Sequence, residues 1–107
     1  MQGIKILFGR RVKELRLKRN MTQAYLAELI NVDDKHISCI ERGINFPSPY
    51  LIEKIAKAFN IEAKDLFEYH HLQDDQDLKK GIADMVETLT QNELRLAFQY
   101  IRTFLIK

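Results

Sequence analysis

Apolar residues recur along this chain at steps of three and four, and no stretch sustains an alternation of period two. The first spacing stacks side chains on one face of a helix, whereas the second would line a strand. The pattern therefore predicts an all-α protein. A first helix is expected over 6–19, with Phe8, Val12 and Leu15 as its buried stripe and Leu17 outside it. Thr22 is a good N-cap for a second helix carrying Ala24, Leu26, Ala27, Leu29 and Ile30. Asn31 follows, a residue that tolerates the left-handed conformation of a tight turn. A third helix is expected over 33–42, capped by Asp33, held by Ile37 and Ile40 and stopped by Gly43. Ser48 caps a fourth, with Pro49 at the first helical position, where the missing N–H costs nothing. Leu51, Ile52, Ile55, Ala56 and Phe59 form its apolar face, and Asn60 ends it. A short fifth helix over 63–67 turns Leu66 and Phe67 inward.

The polar stretch EYHHLQDDQD then interrupts the pattern. It predicts a first domain over 1–68, a linker over 69–77 and a C-terminal region over 78–107. In the last region a sixth helix, 78–89, carries Leu78, Ile82, Met85, Val86 and Leu89; Gly81 weakens it by about 1 kcal/mol relative to alanine. The seventh opens with TQNE, a capping box. It has a stripe of Leu94, Ala97, Phe98, Ile101, Phe104 and Leu105, with Leu96, Tyr100 and Ile106 off it. One neighbouring helix cannot cover that much apolar surface. Burial is worth ~25 cal/mol per Å2, and leaving such a surface wet invites association. A helical hairpin pairing with a second copy is expected, with Leu94, Phe98, Ile101, Phe104 and Leu105 at the dimer interface. The alternative is that the last helix folds back on the first domain.

Charge sharpens this picture only through its distribution. The total is +2, but Lys5, Arg10, Arg11, Lys13, Arg16, Lys18 and Arg19 crowd the first twenty residues against Glu14 alone. That end suits a polyanion, although a solvated helix face is an equal reading on charge alone. The single cysteine excludes an intrachain disulfide and a cysteine-rich zinc site. His36 and Cys39 share a helical face, but two such groups do not make a metal site, and His70 and His71 fit a solvated linker. No cofactor or metal is expected. No apolar run reaches the ~20 residues of a membrane span, so a cytoplasmic protein is expected.

The two short helices 22–30 and 33–42, joined by Asn31–Val32 with small Ala27 at their crossing, describe a helix-turn-helix. The elements FGRRVKELRLKRNMTQ, LAELINV, ISCIERG, PSPYLIEKIAKAFNI and DLF occur in order. Together they make residues 8–67 resemble the Cro and phage-repressor (XRE-type) family of DNA-binding proteins. The resemblance implies a five-helix domain whose recognition helix is 33–42. It implies base-reading positions at Asp34, Lys35, His36 and Cys39. It also implies backbone contacts from Thr22, Gln23, Ser38, Arg42, Asn45 and Phe46, with electrostatic help from Arg10, Arg11 and Arg19. Glu41 matches a structural acid.

In such a site phosphate contacts supply affinity and salt dependence, while a few side chains read base edges. Lys35 can donate to guanine O6 or N7, His36 to a purine N7, Asp34 can accept from cytosine N4, and Cys39 suits a thymine methyl. The acid pair Asp33–Asp34 departs from the family pattern. Asp33 is accounted for as a cap; Asp34 either reads cytosine or lowers general affinity for DNA. Tyr25 stands where the family's capping acid or glutamine would be. The expected function is a sequence-specific transcriptional regulator, a repressor binding a pseudo-palindromic operator as a homodimer. The alternative is an antitoxin-like or anti-repressor protein whose C-terminal helices bind another protein. No nucleophile–base pair, carboxylate pair or phosphate loop suggests an enzyme.

Overall fold

A computed structural model describes residues 3–106. The described residues form six α-helices: α1 Ile4–Lys18, α2 Gln23–Ile30, α3 Asp34–Glu41, α4 Pro49–Ala58, α5 Asp75–Val86 and α6 Gln91–Thr103. Two 3-10 helices, Ala63–Phe67 and His70–Leu72, lie between α4 and α5, and no strand occurs among the described residues. The chain divides into two units, the first ending at Asp74 and the second beginning at Asp75.

The first unit is built around Phe8, Leu26, Ile30, Ile37, Ile40, Ile55, Phe59 and Leu66, all essentially inaccessible to solvent. Each predicted stripe turns inward, and Leu17 stays exposed. Ala24 and Leu29 are the exceptions in α2: both were expected in its apolar set, but Ala24 is exposed and Leu29 about half exposed. Caps set the helix starts. The Thr22 hydroxyl accepts from Tyr25 N–H at 3.0 Å, and Ser48 accepts from Leu51 N–H at 3.2 Å with Pro49 at the first position. Asp33 occupies the N-cap of α3, but its side chain makes no capping hydrogen bond there. Asn20, Asn31 and Asn60 all take positive φ at helix ends, and the N–H of Val32 donates to Ala27 carbonyl at 3.0 Å to close the α2–α3 turn.

The fifth element is a 3-10 helix rather than an α-helix, with a reciprocal capping box between Glu62 and Asp65. The stretch read as linker is partly docked. Tyr69 packs against the core, and His70–Leu72 form a 3-10 helix attached to α1.

In the second unit, the predicted box at the start of α6 is present. Thr90 Oγ1 accepts from Glu93 N–H at 3.3 Å, and Glu93 accepts from Thr90 N–H at 2.9 Å. Helix α5 begins three residues earlier than expected, with Asp75 and Asp77 in a first turn that favours acids. No described residue of α5 or α6 is buried.

Candidate nucleic-acid interface

Helix α3 is anchored from beneath. Ile37 and Ile40 sink into the core, and α1 crosses α3 so closely that a Cβ at Gly9 would overlap the Ile40 carbonyl oxygen. A glycine is required there for want of space. Gly43 is required for a different reason: its φ is +76°, and a Cβ would lie 2.8 Å from Ile6 Cγ1.

Beside this crossing lies a buried polar cluster. Arg16 Nε donates to Glu41 Oε2 at 2.7 Å, and its Nη2 to Glu41 Oε1 at 3.0 Å. The remaining Arg16 nitrogen, Nη1, donates to Met21 carbonyl at 2.7 Å. Gln23 Nε2 donates to the same Glu41 Oε1 at 3.0 Å. One carboxylate thus ties together α1, the first turn of α2 and the last turn of α3. Such a planar bidentate pair suits arginine. Glu41 was expected to be structural, and the geometry agrees. Arg16 was not singled out in the sequence, though it is the partner that makes Glu41 so.

The outward side of α3 carries the expected base-reading set. Asp34, Lys35 and His36 are exposed, and Cys39 is partly so. Asp34 stands in the first turn, where the helix dipole favours an acid. Ser38 is half-buried. Arg42 folds back on its own helix, its Nε donating to Ser38 carbonyl at 3.4 Å and its Nη2 lying 3.8 Å from Cys39 Sγ. Thr22 and Asn45 are exposed nearby in sequence, and Gln23 is held by Glu41 as described. Phe46 packs on the core, its ring 4.9 Å from that of Phe8.

The three arginines expected to add phosphate contacts are turned to the domain's own carbonyls. Arg10 Nη1 donates to Leu72, Arg11 Nε to Asp65, and Arg19 Nε and Nη1 to Phe59 and Leu15, at 3.0 to 3.1 Å. Arg19 also lies 5.1 Å over the Phe59 ring. Their charge remains part of the surface field, but their donors close helix and loop ends. Nothing in a residue count distinguishes these roles.

Glu14 is a second charged junction. His71 Nε2 donates to it, 2.9 Å from both oxygens, and Arg11 Nη1 donates at 2.6 Å. Burial works to raise the Glu14 pKa, but the hydrogen bonds from His71 and Arg11 and the charge of Lys18 outweigh it and hold the carboxyl below its usual value. His71 is therefore not the solvated linker residue that its polar surroundings suggested. No cluster of three or more metal-ligating side chains occurs among the described residues.

Residues 12–66 match the helix-turn-helix family model HTH_3. The chain belongs to the helix-turn-helix family. Within that family it is 43% identical to control protein C.BamHI of Bacillus amyloliquefaciens, over 63% of this chain and 84% of the relative. It is 26% identical to the cryptic phage CTXphi transcriptional repressor RstR of Vibrio cholerae, over 94% of this chain and 90% of the relative. Among solved structures it resembles SinR, the master regulator for biofilm formation, in complex with DNA. That likeness is 27% identity with a TM-score of 0.54, over 57% of this chain and 98% of that one. The helix-turn-helix match covers the Arg16–Glu41–Gln23 cluster and all of α3.

Proposed function

We propose that this protein is a cytoplasmic repressor that binds a pseudo-palindromic operator as a homodimer and lays one α3 from each copy in the major groove. DNA binding and transcriptional regulation come with its family. The carrying observation is α3 itself. It is held rigidly along one side by Ile37, Ile40 and Glu41, and it presents Asp34, Lys35, His36 and Cys39 on the other. In this reading Lys35 and His36 donate to purine edges, Asp34 accepts from cytosine and Cys39 meets a thymine methyl. Thr22, Gln23, Ser38, Arg42 and Asn45 approach phosphates around them. The relative named a repressor aligns along nearly the whole chain, which supports repression over activation.

Dimerisation rests on α6. Phe98, Phe104 and Leu105 are largely exposed and Leu94 and Ile101 nearly half so, an apolar stripe of the kind that marks an interaction surface. A second copy covers it in a two-fold arrangement. Sedimentation of the full chain and of a chain lacking residues 90–107 tests this. The full chain is expected to be a dimer, and the truncated chain a monomer with at least tenfold weaker operator binding. A truncated chain that stays dimeric overturns the assignment to α6. A full chain that is monomeric alone favours a different protein as the occupant of this face.

A further inference from the structure

The apolar faces of α5 and α6 are both uncovered. Met85 of α5 is 61% exposed and Phe98 of α6 is 63% exposed, with Ile82 and Leu94 about half exposed. On α6, Leu94, Arg95, Phe98, Gln99 and Arg102 line an open groove of about 470 Å3. Its charged flank is basic. Arg95 and Arg102 stand seven residues apart, and the Arg102 guanidinium lies 6.0 Å from the centre of the Phe98 ring. Seven residues make close to two turns, so the two charges share a flank and are spaced about 10 Å along the axis. Helix α5 carries the same period in the opposite sign. Asp77 and Asp84 are also seven residues apart, on one flank of the stripe made by Leu78, Ile82 and Met85. Lys79 is on the other flank and Lys80 on the back.

We propose that the dimer is built crosswise: α6 of each copy lies along α5 of the other, with Ile82 and Met85 against Phe98 and the Asp77–Asp84 flank along Arg95 and Arg102. The inference rests on the homodimer reading above and names the element that covers α6. Pairing α6 with α6 sets its arginines against each other in an antiparallel pair, or against Ala97 and Phe104 in a parallel one. Glu93, the acid of that helix, is held by the Thr90 N–H at 2.9 Å. The crosswise pair matches charge and period together. The aspartates and the arginines lie on opposite flanks of their stripes, and these are the flanks that meet when two helices run parallel. A two-fold axis then makes the contact twice. Flanking charges of this kind add little affinity each, but reversing one set brings like charges together and decides which partner is accepted.

The test uses three full-length variants: Arg95→Glu/Arg102→Glu, Asp77→Lys/Asp84→Lys, and the chain carrying all four substitutions. Sedimentation equilibrium follows the parent, each variant alone, and an equal mixture of the two double variants. Each double variant alone is expected to dimerise at least tenfold more weakly than the parent. Their mixture sets opposite charges together in both contacts and is expected to form a heterodimer within threefold of the parent's affinity. The quadruple variant is expected to recover equally with itself. Circular dichroism follows helix content, and a double variant that is poorly helical alone still decides the matter by whether its counterpart restores it. If Asp77→Lys/Asp84→Lys alone dimerises as tightly as the parent, α5 is not the partner of α6, and the crosswise pairing is overturned while the dimer reading stands. A mixture that stays monomeric also overturns it, and recovery of the quadruple variant would then place the charge pairs within one chain. A parent that sediments as a monomer removes the dimer reading and this inference with it.

Discussion

Arg16 of α1 and Glu41 of α3 face each other in the interior as a bidentate ion pair, and Gln23 of α2 donates to the same carboxylate. The pair joins residues 25 positions apart and fixes α3 to the body of the domain at its C-terminal end. Ile37 and Ile40 alone would allow α3 to roll about its apolar stripe. The carboxylate, gripped from two other helices, removes that freedom.

Breaking this pair should be costly, and replacing it whole should not. Glu41→Leu leaves the Arg16 guanidinium buried without its partner and is expected to destabilise the domain by about 3–5 kcal/mol. Arg16→Met/Glu41→Leu is expected to recover most of that loss. Urea denaturation measures both. DNA affinity of the double variant is expected to remain below the parent's even at equal stability, because Gln23 loses its acceptor.

Two glycines should respond with opposite signs. Gly9→Ala forces a methyl group into the Ile40 carbonyl and lies 2.8 Å from that of Glu41, so about 3 kcal/mol or more of stability should be lost. Gly81→Ala in α5 meets nothing within 4 Å and should stabilise that helix by about 1 kcal/mol. Thermal melts followed by circular dichroism report both.

Glu14 makes stability depend on pH. Its folded pKa lies below the unfolded value, so its contribution is complete above the unfolded pKa and is lost as pH falls through the folded one. Unfolding free energy is expected to drop between pH 6 and pH 3. In Glu14→Gln that drop should be shallower, and an identical slope in the two proteins would remove Glu14 from this role.

Lys35→Ala should act on specificity. If Lys35 reads a guanine, the variant loses about 1–3 kcal/mol on the preferred base and little on its alternatives at that position. A uniform loss across all bases, with a reduced salt slope, would make Lys35 a phosphate contact.

The helices were legible because their signals are local. Thr22, Ser48 and Thr90 stand where side-chain caps form, and the three-and-four spacing of Phe8, Val12 and Leu15 or of Leu51, Ile55 and Phe59 marks faces that are in fact buried. What could not be read depends on where a long side chain ends. Arg10, Arg11 and Arg19 look like phosphate ligands in a basic run, yet their donors reach carbonyls up to 62 residues away. Arg16, in the same run, is the one that goes inside. His71 sits in a polar stretch with no periodicity, and only the position of Glu14 on α1 gives it a partner. Asp33 shows the reverse: a good cap by residue type that makes no capping bond.

In the proposed complex two copies of α3, held together through α6, read one operator. Selection of bound duplexes from random-sequence DNA by the full-length protein tests it most directly. Enrichment of an inverted repeat whose half-sites lie about one helical turn (~34 Å) apart on one face of the duplex is expected. Enrichment of a single asymmetric site, or of no sequence above background, would contradict it.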